Sequence, residues 1–100
     1  GALPLWLSPV QCWVIPVGSK HSRYAKEIAK GLAKADIRVE AKTDAQTVGK
    51  KIREGEMQKV PYLLIVGDKE LKAKSVSVRE RGKGDIGKMK LGKFIAEIKK

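Results

Sequence analysis

The run Val60-Pro61-Tyr62-Leu63-Leu64-Ile65-Val66 constrains the fold of this chain more than any other segment. Seven residues without a charge are too apolar for a strand with one wet face, so the run reads as a central strand covered on both faces. Pro61 is tolerable there only near the start, where no ladder donor is needed. A turn at Gly67-Asp68-Lys69-Glu70 follows, and then the alternating run Ser75-Val76-Ser77-Val78-Arg79-Glu80-Arg81. Side chains alternate with period two, which puts Val76 and Val78 on one face and Ser75, Ser77 and Arg79 on the other. Leu71 is read with the strands after the turn. Arginines and an acid, Glu70, can thus stand beside one another on a sheet wall, which is chemistry for polar base edges and phosphates.

The rest of the chain supplies partners for such a sheet. Residues 1–10 read as an irregular lead-in segment or linker from a preceding domain, with Trp6 and Leu7 packing onto the sheet, and residues 11–100 as one domain. Gln11 to Val17 is a first strand, ended by Gly18 and Ser19. Lys20 to Ala35 is a helix whose apolar stripe is Tyr24, Ile28 and Leu32 with Ala25 and Ala29, and whose wet stripe is Arg23, Lys26, Lys30 and Lys34. Arg38 to Ala41 alternates as a second strand. Thr43 and Asp44 offer N-caps for a second helix from about Gln46 to Gln58, with Val48 and Ile52 inward and with Gly49 and Gly55 weakening it. Gly82-Lys83-Gly84-Asp85 reads as a loop. Leu91, Phe94, Ile95 and Ile98 mark a last helix. The order β-α-β-α-β-β(-β)-α points to an α/β layer fold.

Charge narrows the partner. The 100 residues carry 22 Lys and Arg against 11 Asp and Glu, a formal net charge of +11. That excess favours an anionic partner, nucleic acid first and an anionic membrane surface second. No apolar span is long enough for a transmembrane helix, and Pro4 and Pro9 break the apolar start, which does not read as a signal peptide. A lone Cys12 excludes an internal disulfide and suits a reducing compartment. With His21 the only histidine and no clustered carboxylates, neither a triad, an acid–base pair nor a metal site is legible. His21 reads as helping to start the first helix. Trp6, Trp13 and Tyr62 read as core side chains. The chain does not begin with Met, so it is expected to be a domain of a longer protein.

Several of these segments resemble one family. Residues 61–70 (Pro-Tyr-Leu-Leu-Ile-Val-Gly-Asp-Lys-Glu), 76–79 (Val-Ser-Val-Arg) and 84–89 (Gly-Asp-Ile-Gly-Lys-Met) are similar to the C-terminal anticodon-binding domain of threonyl-tRNA synthetases, class II aminoacyl-tRNA synthetases. Trp6 to Gln11 and Lys51-Ile52-Arg53-Glu54 match in the same order, so the resemblance spans essentially the whole chain. It implies a three-layer α/β/α fold with a five-stranded mixed sheet and three helices. It further implies a cytoplasmic protein whose partner is threonine tRNA, with no membrane, and a parent that dimerises through another domain. It implies no cofactor here, because ATP and any metal belong to the absent catalytic part.

The resemblance assigns anticodon contacts to Arg53, Glu70 and Arg79. Lys50, Lys51, Arg81 and Lys83 are candidate phosphate contacts. Each reader has a plainer alternative: Arg53 as a solvent arginine paired with Glu54 or Glu56, Glu70 as a turn carboxylate, Arg79 as an edge charge that blocks aggregation. The family's polar run before the second helix is replaced by Asp44, Ala45 and Thr47. Each lost charge-assisted bond costs about 1.5–3 kcal/mol, so recognition is expected to be weaker or differently distributed. That departure leaves a second reading open, a free-standing or degenerate domain that docks on protein or binds RNA without sequence preference.

Overall fold

The structure, a computed structural model, describes residues 10–44 and 46–98. The elements run β1 (Cys12–Pro16), a 3-10 turn (Ser19–His21), α1 (Ser22–Lys34), β2 (Val39–Ala41), α2 (Val48–Met57), β3 (Tyr62–Val66), α3 (Asp68–Ala73), β4 (Ser75–Glu80), β5 (Gly84–Lys90) and α4 (Leu91–Ile98). The five strands form one sheet in the order β2-β1-β3-β4-β5. β2, β1 and β3 are parallel, and β4 and β5 continue antiparallel. The apolar run is the middle strand, as its composition requires.

The direction of travel across the sheet reverses after β2, so helical crossovers of one hand must lie on opposite faces. On one face α1 and α4 cover Cys12, Val14, Leu64, Val66, Val76 and Val78. Tyr62 and Phe94 meet there edge to face, with centroids 5.3 Å apart. On the other face α2 lies over Trp13, Ile15 and Leu63. α2 approaches closely because Gly55 has no side chain: a Cβ there would stand 2.7 Å from Cδ2 of Leu63 and 3.3 Å from Cε3 of Trp13. The glycine read as a weakness of the helix is what seats it. Lys42 closes the far side of Trp13, its ammonium 4.2 Å from the ring centroid.

Four local readings change. The segment from Asp68 is the short helix α3, which carries Leu71 and, among the described residues, joins the three longer helices α1, α2 and α4 that were expected. Asp68 and Glu70 lie in its first turn, where negative charge suits the helix dipole. The stretch read as a loop already enters β5 at Gly84. The cap of α2 is Thr47, whose Oγ1 accepts the Lys50 amide at 3.2 Å, and neither Thr43 nor Asp44 serves. His21 does open α1, and it is also buried: Nδ1 accepts the Gly18 amide at 3.1 Å, which leaves the proton on Nε2 to be donated to Asp68 Oδ1 at 2.8 Å. Trp13 is core, while Trp6 and Leu7 fall outside the described residues.

Candidate nucleic-acid interface

α2 spans ten residues and covers only part of its face. Among the described residues the apolar cluster beneath it draws nothing from β4 or β5. The register explains what stands there instead. Arg79 is opposite Leu63 and Ser77 opposite Ile65, so both share the α2 face. On the outer side Lys88 is opposite Ser77 and Lys90 opposite Ser75. An uncovered strip of sheet therefore presents Ser77, Arg79 and two lysines next to the flank of a helix, while Ser75 at its end is buried.

The flank of α2 turned to this strip carries Glu56, whose Oε1 lies 3.9 Å from Nη2 of Arg79. Arg53, one turn earlier and exposed, lies on the same flank by helical spacing. It borders a shallow depression with Thr47, Lys50 and Met57, separate from the pocket of Arg79. The Arg79 pocket has a volume of about 380 Å³ and is lined by Val60, Leu63, Glu56, Arg81 and Gly82.

Glu70 sits at the opposite end of the strip and is 7% exposed. Its Oε1 accepts the Gly67 amide at 2.7 Å, and its Oε2 faces the ammonium of Lys88 at 3.4 Å. Lys88 is level with Ser77, one same-face position from Arg79. Two charge pairs, Glu70–Lys88 and Glu56–Arg79, thus stand in successive levels along one open face. Arg53, one turn before Glu56, borders the separate depression with Thr47 and Lys50.

The candidate phosphate contacts divide. Lys50, Arg81 and Lys83 are exposed, with Lys83 paired to Glu80 at 3.2 Å. Lys51 is corrected out of the group: it is 4% exposed, and its ammonium donates to the carbonyls of Lys42 and Asp44 at 2.7 and 2.8 Å. A lysine so held ties β2 to α2 and has no reach to a ligand. Glu56 and Lys88 were not singled out from the sequence. The only signal for Glu56 was its place three residues after Arg53 on one helix flank, and Lys88 gains meaning only from the β4–β5 register.

Burial and local hydrogen bonds displace several titrations. Burial pushes the Cys12 thiol up to about 12. Burial, then the charge of Glu80, raises Tyr62. The His21 hydrogen bond, followed by that of Lys20, holds Asp68 below the usual 3.8. Among the described residues no group of three or more His, Cys, Asp or Glu could hold a metal ion, and no helix is long and apolar enough to cross a membrane.

Comparison with known proteins decides the family. The model of the anticodon binding domain matches residues 11–100. The chain belongs to that family. It is 53% identical over 98 residues to the threonine–tRNA ligase of Carboxydothermus hydrogenoformans, covering 98% of this chain and 16% of that protein. It is 50% identical over 100 residues to the threonine–tRNA ligase of Clostridioides difficile, covering 100% of this chain and 16% of that one. The chain thus spans about a sixth of the length of these relatives. The crystal structure of the RNA binding domain of threonyl-tRNA synthetase from Cryptosporidium parvum superimposes with a TM-score of 0.92 at 32% identity, covering 99% of this chain and 25% of that one. The resemblance carried by residues 61–70, 76–79 and 84–89 therefore extends along the anticodon-binding domain of threonyl-tRNA synthetases.

Proposed function

We propose that this domain, residues 11–100, holds the anticodon loop of threonine tRNA on the open face of β4 and β5. The ATP-dependent joining of threonine to tRNA takes place in a catalytic part outside this chain, which also holds ATP and any metal. The parent enzyme is cytoplasmic and dimerises through that other part. The observation that carries the reading is the uncovered strip itself: Ser77, Arg79, Lys88 and Lys90 on sheet, flanked by Arg53 and Glu56 on α2 and closed by Glu70. Unstacked loop bases can lie flat against such a surface with their edges turned to fixed donors and acceptors. Arg79 and Arg53 supply guanidinium forks, and Glu70 supplies a carboxylate oxygen that lysines cannot replace. Lys50, Arg81 and Lys83 supply sequence-independent attraction to phosphates.

One observation favours the second reading, RNA binding without base preference. Thr47 is occupied as a helix cap, and Asp44 turns its carboxylate to Lys51 at 3.8 Å, so neither replaces the polar side chains that the family carries there. Equilibrium binding separates the two. A hairpin RNA with the threonine anticodon is expected to bind more tightly than one with its second and third anticodon bases, G and U, exchanged for others. Arg79→Ala is expected to cost about 1–3 kcal/mol and to narrow that difference. Equal affinity of the unaltered chain for both hairpins would select the second reading.

A further inference from the structure

Among the described residues six take a positive φ, where a side chain crowds the backbone. Gly82, Gly84 and Gly87 have no side chain to clash, and Asp36 has the short polar side chain that this region tolerates. The other two are lysines. Lys59, at φ 58°, follows the last residue of α2 by two positions, and Lys74, at φ 52°, closes α3. Glycine is the ordinary residue at such a helix end. A lysine there holds a strained backbone that glycine would relieve.

A helix dipole favours a cation at its C-terminus, yet α3 already carries Lys72 in its last turn without strain. Position is what the two lysines share. Lys59 leads into Val60, which lines one pocket with Arg81 at one end of the open strip. Lys74 leads into Ser75, opposite Lys90, at the other end. At about 3.3 Å per residue, the six residues of β4 set these ends about 20 Å apart. Both lysines are exposed. Among the described residues neither ammonium has a carboxylate partner. Lys83 and Lys88, by contrast, must release Glu80 and Glu70 before they can meet another anion. An unpaired ammonium on a flexible four-carbon stem meets a phosphate without first breaking a pair.

We infer that Lys59 and Lys74 are a pair of phosphate anchors that hold an RNA strand at the two ends of the strip, and that this contact is why lysine stands where glycine would relieve the backbone. The inference rests on the RNA-binding reading above. It is tested by fluorescence anisotropy with the threonine-anticodon hairpin over a range of salt, on Lys59→Gly and Lys74→Gly, with urea unfolding in parallel. Each glycine variant is expected to unfold at the same urea concentration as the unaltered chain or a higher one. Each is expected to bind the hairpin about three- to fivefold more weakly at low salt, with the slope of log affinity against log salt shallower by about 0.7. The preference for this hairpin over one with exchanged anticodon bases should not change, because phosphate contacts carry no base information. Lys59→Arg and Lys74→Arg, which keep the charge, should bind as the unaltered chain does. A glycine variant that keeps the full slope overturns the inference, and one that also unfolds earlier marks its lysine as a support of the helix end. A loss of slope at one end only overturns the pairing across the strip. In these cases the RNA-binding reading stands so long as Arg79→Ala weakens binding. If Arg79→Ala and both glycine variants bind as the unaltered chain does, the reading and the inference fail together.

Discussion

The Lys88 ammonium stands 3.4 Å from Oε2 of Glu70, while Oε1 of the same carboxylate holds the Gly67 amide at 2.7 Å. Glu70 therefore serves the fold with one oxygen and faces the open strip with the other. The two roles are separable. Glutamine keeps an oxygen for the amide and gives up the charge, whereas alanine gives up both.

Glu70→Gln is expected to leave the melting temperature near that of the unaltered chain and to reduce discrimination between anticodon hairpins. Glu70→Ala is expected to lose about 1–3 kcal/mol of stability as well, because a buried amide is orphaned. Thermal melts paired with hairpin binding check this. Unchanged discrimination in the glutamine variant would remove Glu70 from the readers.

Lys51 is expected to behave as a structural residue. Lys51→Met keeps the apolar stem but strips two loop carbonyls of their donor, at about 1–3 kcal/mol. Its RNA affinity should show the same salt dependence as the unaltered chain. Lys50→Ala, exposed in the first turn of α2, should do the reverse: stability within about 0.5 kcal/mol, and a shallower slope of log affinity against log salt. Urea unfolding and a salt titration of binding measure both.

The seat of α2 is tested by two glycines of the same helix. Gly55→Ala drives a methyl group toward Cδ2 of Leu63, 2.7 Å from where it would sit, and is expected to destabilise by about 1–3 kcal/mol. Gly49→Ala meets nothing within 4 Å and is expected to stabilise by about 0.4–1 kcal/mol. Denaturant midpoints of the two variants should move in opposite directions.

The His21–Asp68 bond joins the loop after β1 to the start of α3. Its carboxyl is held below the usual 3.8, first by His21 and then by Lys20. A depressed folded-state value adds stability above the ordinary carboxylate range, and that stability is lost as pH falls through the folded value. Asp68→Asn should therefore be less stable than the unaltered chain near neutral pH, with the gap closing as pH drops below 3.8. Unfolding curves at several pH values give the test. A gap that stays constant into acid would show that the charge contributes nothing.

Much of this was legible from residue patterns alone. The uninterrupted run at Val60–Val66 announced its own central place, and Val76 and Val78 marked the buried face of β4, which fixed Arg79 on the other. The apolar stripes of α1 and α4 pointed to their faces for the same reason. β5 escaped because Gly84, Gly87 and three charged residues dilute its pattern, and a register shift near Val78 and Arg79 breaks the alternation around Ile86. α3 escaped because Gly67-Asp68 looks like a turn, and the carboxylates that favour a helix start look the same in a loop. Lys51 misled because a lysine reads as wet until a pair of carbonyls is found to receive it. Glu56 gained a role only once α2 was known to lie beside β4, a relationship that no local spacing encodes.

The central claim is that RNA lies on the uncovered face of β4 and β5. Backbone amide chemical shifts of the labelled chain, followed while the threonine-anticodon hairpin is added, test it most directly. Perturbations are predicted to concentrate at Ser77, Arg79 and Lys88, and at Arg53 and Glu56 on the facing flank of α2, with Lys26, Lys30 and Lys34 nearly still. Shifts confined to the α1 lysine stripe, with β4 undisturbed, would contradict the account.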